Sequence, residues 1–286
     1  MNTLDFFKAI ILGVVQGVTE FLPVSSSGHL AIVQHWMKLE TTGPTMLLFD
    51  VLAHMGTLIA VVVVFAKPGL RYFKRLWAES GREWTGPRYA WRFALLGITA
   101  SIPTAIIGLM FKDDFEAAFD NRFAVGGGLL VTGVLLWTTS LARRGRRGWR
   151  TFSFLSAAVV GVAQGLAILP GISRSGSTIA AATLLGLRRR WAGEFSFFIA
   201  VPAICGASVI KLKDTWELPA EKLAAIPWGP VCLGSIVSLL VGMVALSFLL
   251  RVIRQAKLHY FAPYCWAIGT MILVLELLST PPASAG

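Results

Sequence analysis

Long apolar runs separated by short polar stretches occupy most of the chain. Six of these runs approach the roughly 20 residues that a helix needs to cross a bilayer core of about 30 Å. They lie at 46–66, 89–111, 123–142, 195–212, 229–250 and 260–278. The pattern predicts an all-α, polytopic integral membrane protein with six spanning helices, folded as a single membrane domain over 1–286.

Two further apolar stretches are too short to span. The run 9–22 makes roughly 21 Å of helix, and the return at 28–37 is shorter still. Apolar runs of this length are more often re-entrant than spanning. We therefore predict a re-entrant helical hairpin over 4–38 and, from the repeat described next, a second hairpin over 152–187.

Residues 13–28 and 161–176 are two copies of one pattern. Both are apolar, helix-like runs that are broken first by a proline and then by serine and glycine. The shared positions are Gly13, Gln16, Gly17 and Gly28 in the first copy and Gly161, Gln164, Gly165 and Gly176 in the second. The small-xxx-small spacing of the glycines predicts close helix packing, either of one hairpin on the other or of ordinary helix neighbours. Such stripes also permit a homodimer.

Composition and charge agree with a membrane protein. The chain has 55% hydrophobic and 14% charged residues, whereas a typical soluble domain has about 25% charged residues. The net charge of +11 lies mostly in short loops between the apolar runs. The positive-inside rule explains this charge without nucleic acid as a partner.

The loop charges predict a topology. Basic residues cluster at 67–92, 143–150, 188–190 and 251–257, whereas 112–120 is acidic. Placing the basic loops in the cytoplasm puts both termini outside. Each half then holds one hairpin and three spans, and an odd number of spans inverts the second half relative to the first. We predict an inverted-topology repeat of 1–148 and 149–286, with the site where the hairpin tips converge.

Polar groups concentrate at the predicted tips. Gln16 and Glu20 are four residues apart and share a helical face. An ionisable group deep in a membrane usually has a partner and a function. A surface position in a shallower hairpin is the alternative for Glu20. Serine and glycine at a broken helix end offer N–H groups and hydroxyls to an anion. The two tips contain Ser25, Ser26, Ser27, Gly28 and His29, and Ser173, Arg174, Ser175, Gly176, Ser177 and Thr178.

These groups suit phosphoryl transfer, which needs positive charge around the phosphate oxygens and an in-line nucleophile. Arg174 supplies a planar fork for phosphate oxygens, and Glu20 with Gln16 offers oxygen ligands to Mg²⁺ or Ca²⁺. His29 has two open roles, as a nucleophile or as a base that activates Ser26. For Asp50 and His54, also four residues apart, a helix pair or a packing role is the preferred interpretation.

At these residues the chain resembles the bacterial undecaprenyl pyrophosphate phosphatases of the bacitracin-resistance type over essentially its whole length. The matching motifs are Gln16-Gly-Val-Thr-Glu20-Phe-Leu-Pro-Val-Ser-Ser-Ser-Gly-His29 and Pro170-Gly-Ile-Ser-Arg-Ser-Gly-Ser-Thr178. The resemblance implies a multi-pass enzyme of the bacterial inner membrane that removes the terminal phosphate from a C55 polyprenyl diphosphate. That reaction recycles the lipid carrier of peptidoglycan synthesis, and overexpression confers bacitracin resistance.

The resemblance also implies a divalent cation and assigns roles to particular residues. Glu20 belongs to the acidic motif of the family, His29 matches its functional histidine, and Arg174 matches its phosphate-binding arginine. Ser26, Ser173 and Thr178 match positions near the pyrophosphate, and Ser25, Ser27 and Ser175 are expected to add donors. The family has Glu or Gln at position 16, so with Gln16 this chain has one carboxylate there instead of two.

Two other functions compete with the lipid phosphatase. Inverted repeats with broken helices are transporter architecture, so the main alternative is a polyprenyl-phosphate transporter or flippase that uses the same cavity. A histidine at the tip favours hydrolysis over transport alone. An unrelated lipid phosphatase with a Ser-Gly-His motif would need a second histidine near Arg174, and downstream of Arg174 the chain has His259, far away in sequence.

Overall fold

The computed structural model describes residues 4–39, 43–79, 86–119, 121–142, 145–217 and 219–279. In this part of the chain all regular structure is helical. The helices are α1 (Phe6–Phe21), α2 (Ser26–Trp36), α3 (Pro44–Glu79), α4 (Gly86–Met110), α5 (Lys112–Phe119), α6 (Arg122–Leu141), α7 (Phe154–Leu166), α8 (Arg174–Leu184), α9 (Arg189–Trp216), α10 (Ala220–Ala224), α11 (Trp228–Arg254) and α12 (Ala262–Ser279). The prediction of an all-α chain is confirmed for these residues.

Six of the described helices are long and apolar enough to cross a membrane. Their apolar segments are Pro44–Ala66, Trp91–Met110, Arg122–Leu141, Arg189–Lys213, Trp228–Arg254 and Leu258–Leu278. Each one overlaps a run predicted from the hydrophobic pattern, so the prediction of six helices long and apolar enough to span is confirmed. The predicted loop over 67–92 is wrong in part, because α3 continues as helix to Glu79 and α4 begins at Gly86. The loop charges at 80–85, 120 and 143–144 lie outside the described residues.

The two shorter segments form helix pairs at the expected positions. α1 and α2 pack together around a turn at 22–25, and α7 and α8 pack together around a turn at 167–173. Polar residues start these helices, since Asp5 caps α1, Ser153 caps α7 and Ser173 caps α8 with side-chain oxygens that accept backbone N–H groups. We call α1–α2 the first hairpin and α7–α8 the second hairpin.

The glycine stripes pack against spanning helices and not against each other. Gly13 and Gly17 of α1 face the backbone of α11, while Gly161 faces the backbone of α4 and Gly165 faces Ile107 of α4. The idea that one hairpin packs on the other through these stripes is therefore wrong. Between helices in a lipid environment, small residues allow the backbones to approach and gain van der Waals contact. All four glycines are covered by other helices of the same chain.

We expect Gly161→Ala to destabilise the protein by roughly 1–3 kcal/mol, because an added Cβ overpacks a site without free volume. That Cβ would lie 2.7 Å from the carbonyl carbon of Ala100. The matched control is Gly127→Ala in α6, where a Cβ meets nothing within 4 Å. Alanine in that half-buried but open helical position should be neutral or slightly stabilising. Thermal unfolding of both variants in detergent measures the difference, and equal midpoints would contradict the packing.

Candidate active site

The tip of the second hairpin is held against α6 by backbone contacts. Gly171 has φ +83°, a left-handed conformation that favours glycine, and a Cβ on Gly128 would lie 2.9 Å from the Cα of Gly171. The Thr132 hydroxyl donates to the Gly171 carbonyl at 2.9 Å and accepts from the Ser173 backbone N–H at 2.9 Å. These contacts fix the residue directly before Arg174, the first residue of α8.

The tip of the first hairpin has a different local structure. Ser25 has φ +69°, which is unusual for a residue with a side chain, and its hydroxyl makes no cap to α2. It lies 3.3 Å from the hydroxyl of Ser27. The second tip repeats this contact between Ser173 and Ser175, at 3.2 Å. Both tips therefore place paired hydroxyls at the start of a helix.

The two tips meet at the carboxylate of Glu20. Arg174 donates through Nη2 to Glu20 Oε1. On the other oxygen, Oε2, Glu20 accepts from the Ser26 hydroxyl at 2.7 Å and from Gln16 Nε2 at 3.0 Å. The Glu20 side chain is 4% exposed and that of Arg174 is 21% exposed. The structure thus brings Gln16, Glu20, Ser26 and Arg174 into one half-buried cluster that both hairpins form.

The charge of Glu20 depends on its partners. Burial raises the pKa of Glu20, but the Arg174 guanidinium, with smaller contributions from His54 and the hydroxyl and amide donors, brings that pKa below its usual value. The carboxylate is therefore ionised in the ground state, and its basicity depends on how closely Arg174 stays bound.

His54 belongs to this cluster, although the sequence pattern indicated a pairing with Asp50. His54 Nε2 lies 3.5 Å from Glu20 Oε2, while His54 Nδ1 lies 2.7 Å from the backbone oxygen of Asp50. The carboxylate of Asp50 accepts instead from Gln34 of α2 at 3.0 Å. The signal that could have found His54 was its position inside an apolar span, where ionisable groups usually serve a function.

The hydrogen-bond partners of His29 are residues other than Ser26. Its Nδ1 is 2.8 Å from the carbonyl oxygen of Ser25, and its Nε2 is 2.8 Å from the hydroxyl of Tyr264 in α12. The described contacts therefore include no hydrogen bond between His29 and Ser26. Sequence reasoning did not find Tyr264, because nothing in the pattern of α12 separates this residue from an ordinary interfacial tyrosine.

The remaining predicted residues lie in the second tip. The Ser173 hydroxyl accepts the Gly176 backbone N–H at 3.1 Å, and Ser175 lies beside it. The Thr178 hydroxyl donates to the carbonyl of Arg174 at 2.9 Å, within its own helix. Ser173, Ser175 and Thr178 are all buried.

A divalent cation fits this donor set in part. No group of three or more His, Cys, Asp or Glu side chains suited to a metal exists among the described residues. However, Gln16 Oε1 is buried and has no hydrogen-bond partner there. Mg²⁺ is commonly bound by one or two protein oxygens together with substrate phosphates. Gln16 and Glu20 would be those protein ligands, and such a cation would neutralise phosphate charge when bound.

Comparison with known proteins gives a consistent result over nearly the full chain. The family model described as Bacitracin resistance protein BacA matches residues 9–271. The chain is 43% identical over 273 residues to an Undecaprenyl-diphosphatase of Carboxydothermus hydrogenoformans, covering 96% of this chain and 98% of that protein. It is 41% identical over 278 residues to an Undecaprenyl-diphosphatase of Alkaliphilus metalliredigens, covering 95% of this chain and 99% of that relative.

Proposed function

The chain belongs to the bacitracin resistance protein family, and we propose that it hydrolyses undecaprenyl diphosphate between its two hairpin tips. The products are undecaprenyl monophosphate and phosphate, so the enzyme serves cell-wall synthesis and bacitracin resistance. One observation carries the assignment of the site. Glu20 of the first hairpin contacts both Arg174 of the second hairpin and the hydroxyl of Ser26, so an anion-binding group, a base and a nucleophile occupy one place.

The diphosphate competes with Glu20 for Arg174. A guanidinium fork binds phosphate oxygens in a bidentate manner, and the backbone N–H groups at the starts of α2 and α8 add donors. When Arg174 turns to the terminal phosphate, Glu20 loses the positive charge that holds its pKa down. Glu20 Oε2 keeps its contact with the Ser26 hydroxyl in this step.

Ser26 is the nucleophile in this proposal. Its Oγ attacks the terminal phosphorus while its proton passes to Glu20 Oε2, which lies 2.7 Å away. The bond from that phosphorus to the bridging oxygen breaks, and undecaprenyl monophosphate leaves with the electron pair. Water then attacks the phosphoserine. Glu20 returns its proton to Ser26 Oγ, one proton of the water stays on the released phosphate, and the other passes to solvent.

The finer architecture is an inverted repeat of two re-entrant hairpins, each followed by three spans. Its support is a set of matched contacts between halves. α1 packs on α11 as α7 packs on α4, which are equivalent partners when 1–148 is paired with 149–286. At the tips, a Cβ on Gly28 would lie 3.6 Å from Gly171, and one on Gly176 would lie 3.3 Å from Pro23. These two contacts exchange under the repeat, as expected for a twofold axis between the tips.

We also propose in which membrane the enzyme lies and on which side its termini are. The enzyme lies in the bacterial inner membrane with both termini outside, because the basic segments then face the cytoplasm. Irregular backbone at membrane depth is tolerated when it is buried in protein or lines a wet cavity. The buried turns of both hairpins meet that condition.

Phosphate release from undecaprenyl diphosphate in liposomes tests the function against transport. We expect purified protein to release one phosphate per lipid and to lose this activity in a chelator. Transport without hydrolysis would move the labelled polyprenyl lipid between leaflets with no free phosphate. That outcome would contradict the phosphatase assignment and favour the flippase.

We also expect Gln16→Ala to raise the Mg²⁺ concentration for half-maximal activity about tenfold, because it removes one of two protein oxygens offered to the cation. The matched control is Gln164→Ala, at the equivalent position of the second repeat. Gln164 donates to Thr104 at 3.2 Å and to the carbonyl of Ile199 at 3.3 Å, away from the Glu20 cluster. A titration of activity with Mg²⁺ compares the two variants. Equal midpoints in Gln16→Ala and wild type would remove Gln16 as a ligand.

A further inference from the structure

Both ring nitrogens of His29 have fixed partners. A backbone carbonyl can accept but not donate, so the 2.8 Å contact to Ser25 requires the proton on Nδ1. In the neutral ring Nε2 is then the acceptor, and the Tyr264 hydroxyl at 2.8 Å must donate to it. The two rings lie nearly parallel, at 12°, with centroids 5.7 Å apart.

Helix α12 contacts the first tip through two successive residues. Next to Tyr264, the thiol of Cys265 lies 3.6 Å from the carbonyl oxygen of Pro23. The segment held between these contacts is the one in which Ser25 adopts its left-handed conformation. A strained residue of this kind persists when its surroundings fix it.

The carbonyl of Ser25 links His29 to the start of α2. It accepts from the backbone N–H of His29 at 3.3 Å and from His29 Nδ1 at 2.8 Å. Since Ser25 gives α2 no side-chain cap, the His29 ring supports the first turn of the helix that begins at Ser26. The orientation of the ring therefore affects where the Ser26 hydroxyl points.

We infer that Tyr264 is a positioning residue, which keeps the His29 ring on the Ser25 carbonyl, where the ring is the Nδ1–H tautomer, and thereby keeps Ser26 directed at Glu20. Both ring nitrogens of His29 are then engaged in hydrogen bonds, so His29 is not the nucleophile. This inference rests on the proposed function for its kinetic consequences, but the tautomer itself does not depend on turnover.

The groups around His29 determine the direction in which its pKa shifts. Burial lowers the pKa of His29, and the carbonyls of Ser25 and Val24 raise it in part. From α12 the facing groups are the Tyr264 phenol and, beside it, the Cys265 thiol. The Tyr264 hydroxyl donates to Nε2 of the neutral ring and accepts from Nε2–H of the imidazolium, and the charge-assisted bond is the stronger of the two. Removing the hydroxyl should therefore lower the pH at which His29 gains its second proton.

The test is Tyr264→Phe, with Tyr260→Phe as the matched control one turn earlier. Tyr260 is exposed and packs on His259, so its hydroxyl has no part in the tip. In ¹⁵N NMR of labelled histidine, with His29→Gln for assignment, we expect wild type and Tyr260→Phe to show His29 as the Nδ1–H tautomer. Without the Tyr264 hydroxyl the ring can leave the Ser25 carbonyl, so Tyr264→Phe should show mixed tautomers, and the acid limb of its pH–rate profile should fall by about one pH unit. Its kcat should fall about tenfold with KM within about twofold, as expected for misplacement of the nucleophile.

Two outcomes would overturn the inference. One is an unchanged His29 tautomer and acid limb in Tyr264→Phe. The other is an acid-labile phosphoenzyme that disappears in His29→Gln, which would make His29 the nucleophile. Failure of the proposed function would look different, because wild type would then release no phosphate while the tautomer shift in Tyr264→Phe persisted.

Discussion

Arg174→Ala is expected to lower kcat/KM for undecaprenyl diphosphate by about 10³-fold. The variant loses the guanidinium that meets the terminal phosphate, and no other Lys or Arg side chain pairs with Glu20 among the described residues. It also leaves the Glu20 carboxylate, 4% exposed, without its main countercharge. An uncompensated buried charge is strongly destabilising, so folding and catalysis must be measured separately.

A double variant makes this separation. Glu20→Gln combined with Arg174→Ala removes both charges, so thermal unfolding should return towards wild type while phosphate release stays lost. Arg174→Lys keeps a positive charge without the planar fork and should recover part of the activity. Arg190→Ala is the matched control, because Arg190 is exposed and pairs with Glu194 within α9. Full activity in Arg174→Ala would rule out the site between the tips.

Ser26→Ala is expected to lower kcat by about 10⁴-fold, since removal of a nucleophile leaves only binding and electrostatic contributions. KM should change little, because Arg174 and the backbone donors remain. Rapid quench with ³²P-labelled substrate should trap an acid-stable, alkali-labile phosphoenzyme in wild type and none in the variant. Ser140→Ala in α6 is the matched control, since its exposed hydroxyl donates to the carbonyl of Trp137 within the same helix. A phosphoenzyme that persists in Ser26→Ala would exclude Ser26.

Much of the fold could be predicted because its signals are local. The length of an apolar run can be counted in the sequence, and this length determines whether the helix can cross a bilayer. The six spans and the two short hairpins follow from that. The tip residues were also visible, since proline, serine and glycine break an apolar helix wherever it lies. Where the prediction went wrong, at 67–92, charged residues were taken as a loop although α3 remains helical to Glu79.

Partners between distant segments were harder to predict. The spacing of Gly13 and Gly17 indicated a close helix contact but not that α11 makes it. The spacing of Asp50 and His54 indicated a shared helical face, but His54 faces Glu20 while the carboxylate of Asp50 bonds to Gln34. Helical periodicity specifies which face a residue occupies, and tertiary packing specifies what lies opposite that face.

Composition, length and spacing along one chain are enough to predict a helical membrane protein with two broken, repeated segments that carry a carboxylate, a histidine, an arginine and serines at their tips. They do not predict that Glu20 meets Arg174, 154 residues away, that Ser26 and not His29 donates to Glu20, or that Tyr264 contacts His29. The reason is physical, since each of these contacts depends on how closely separate helices approach, and glycine packing and backbone hydrogen bonds at the tips set that distance.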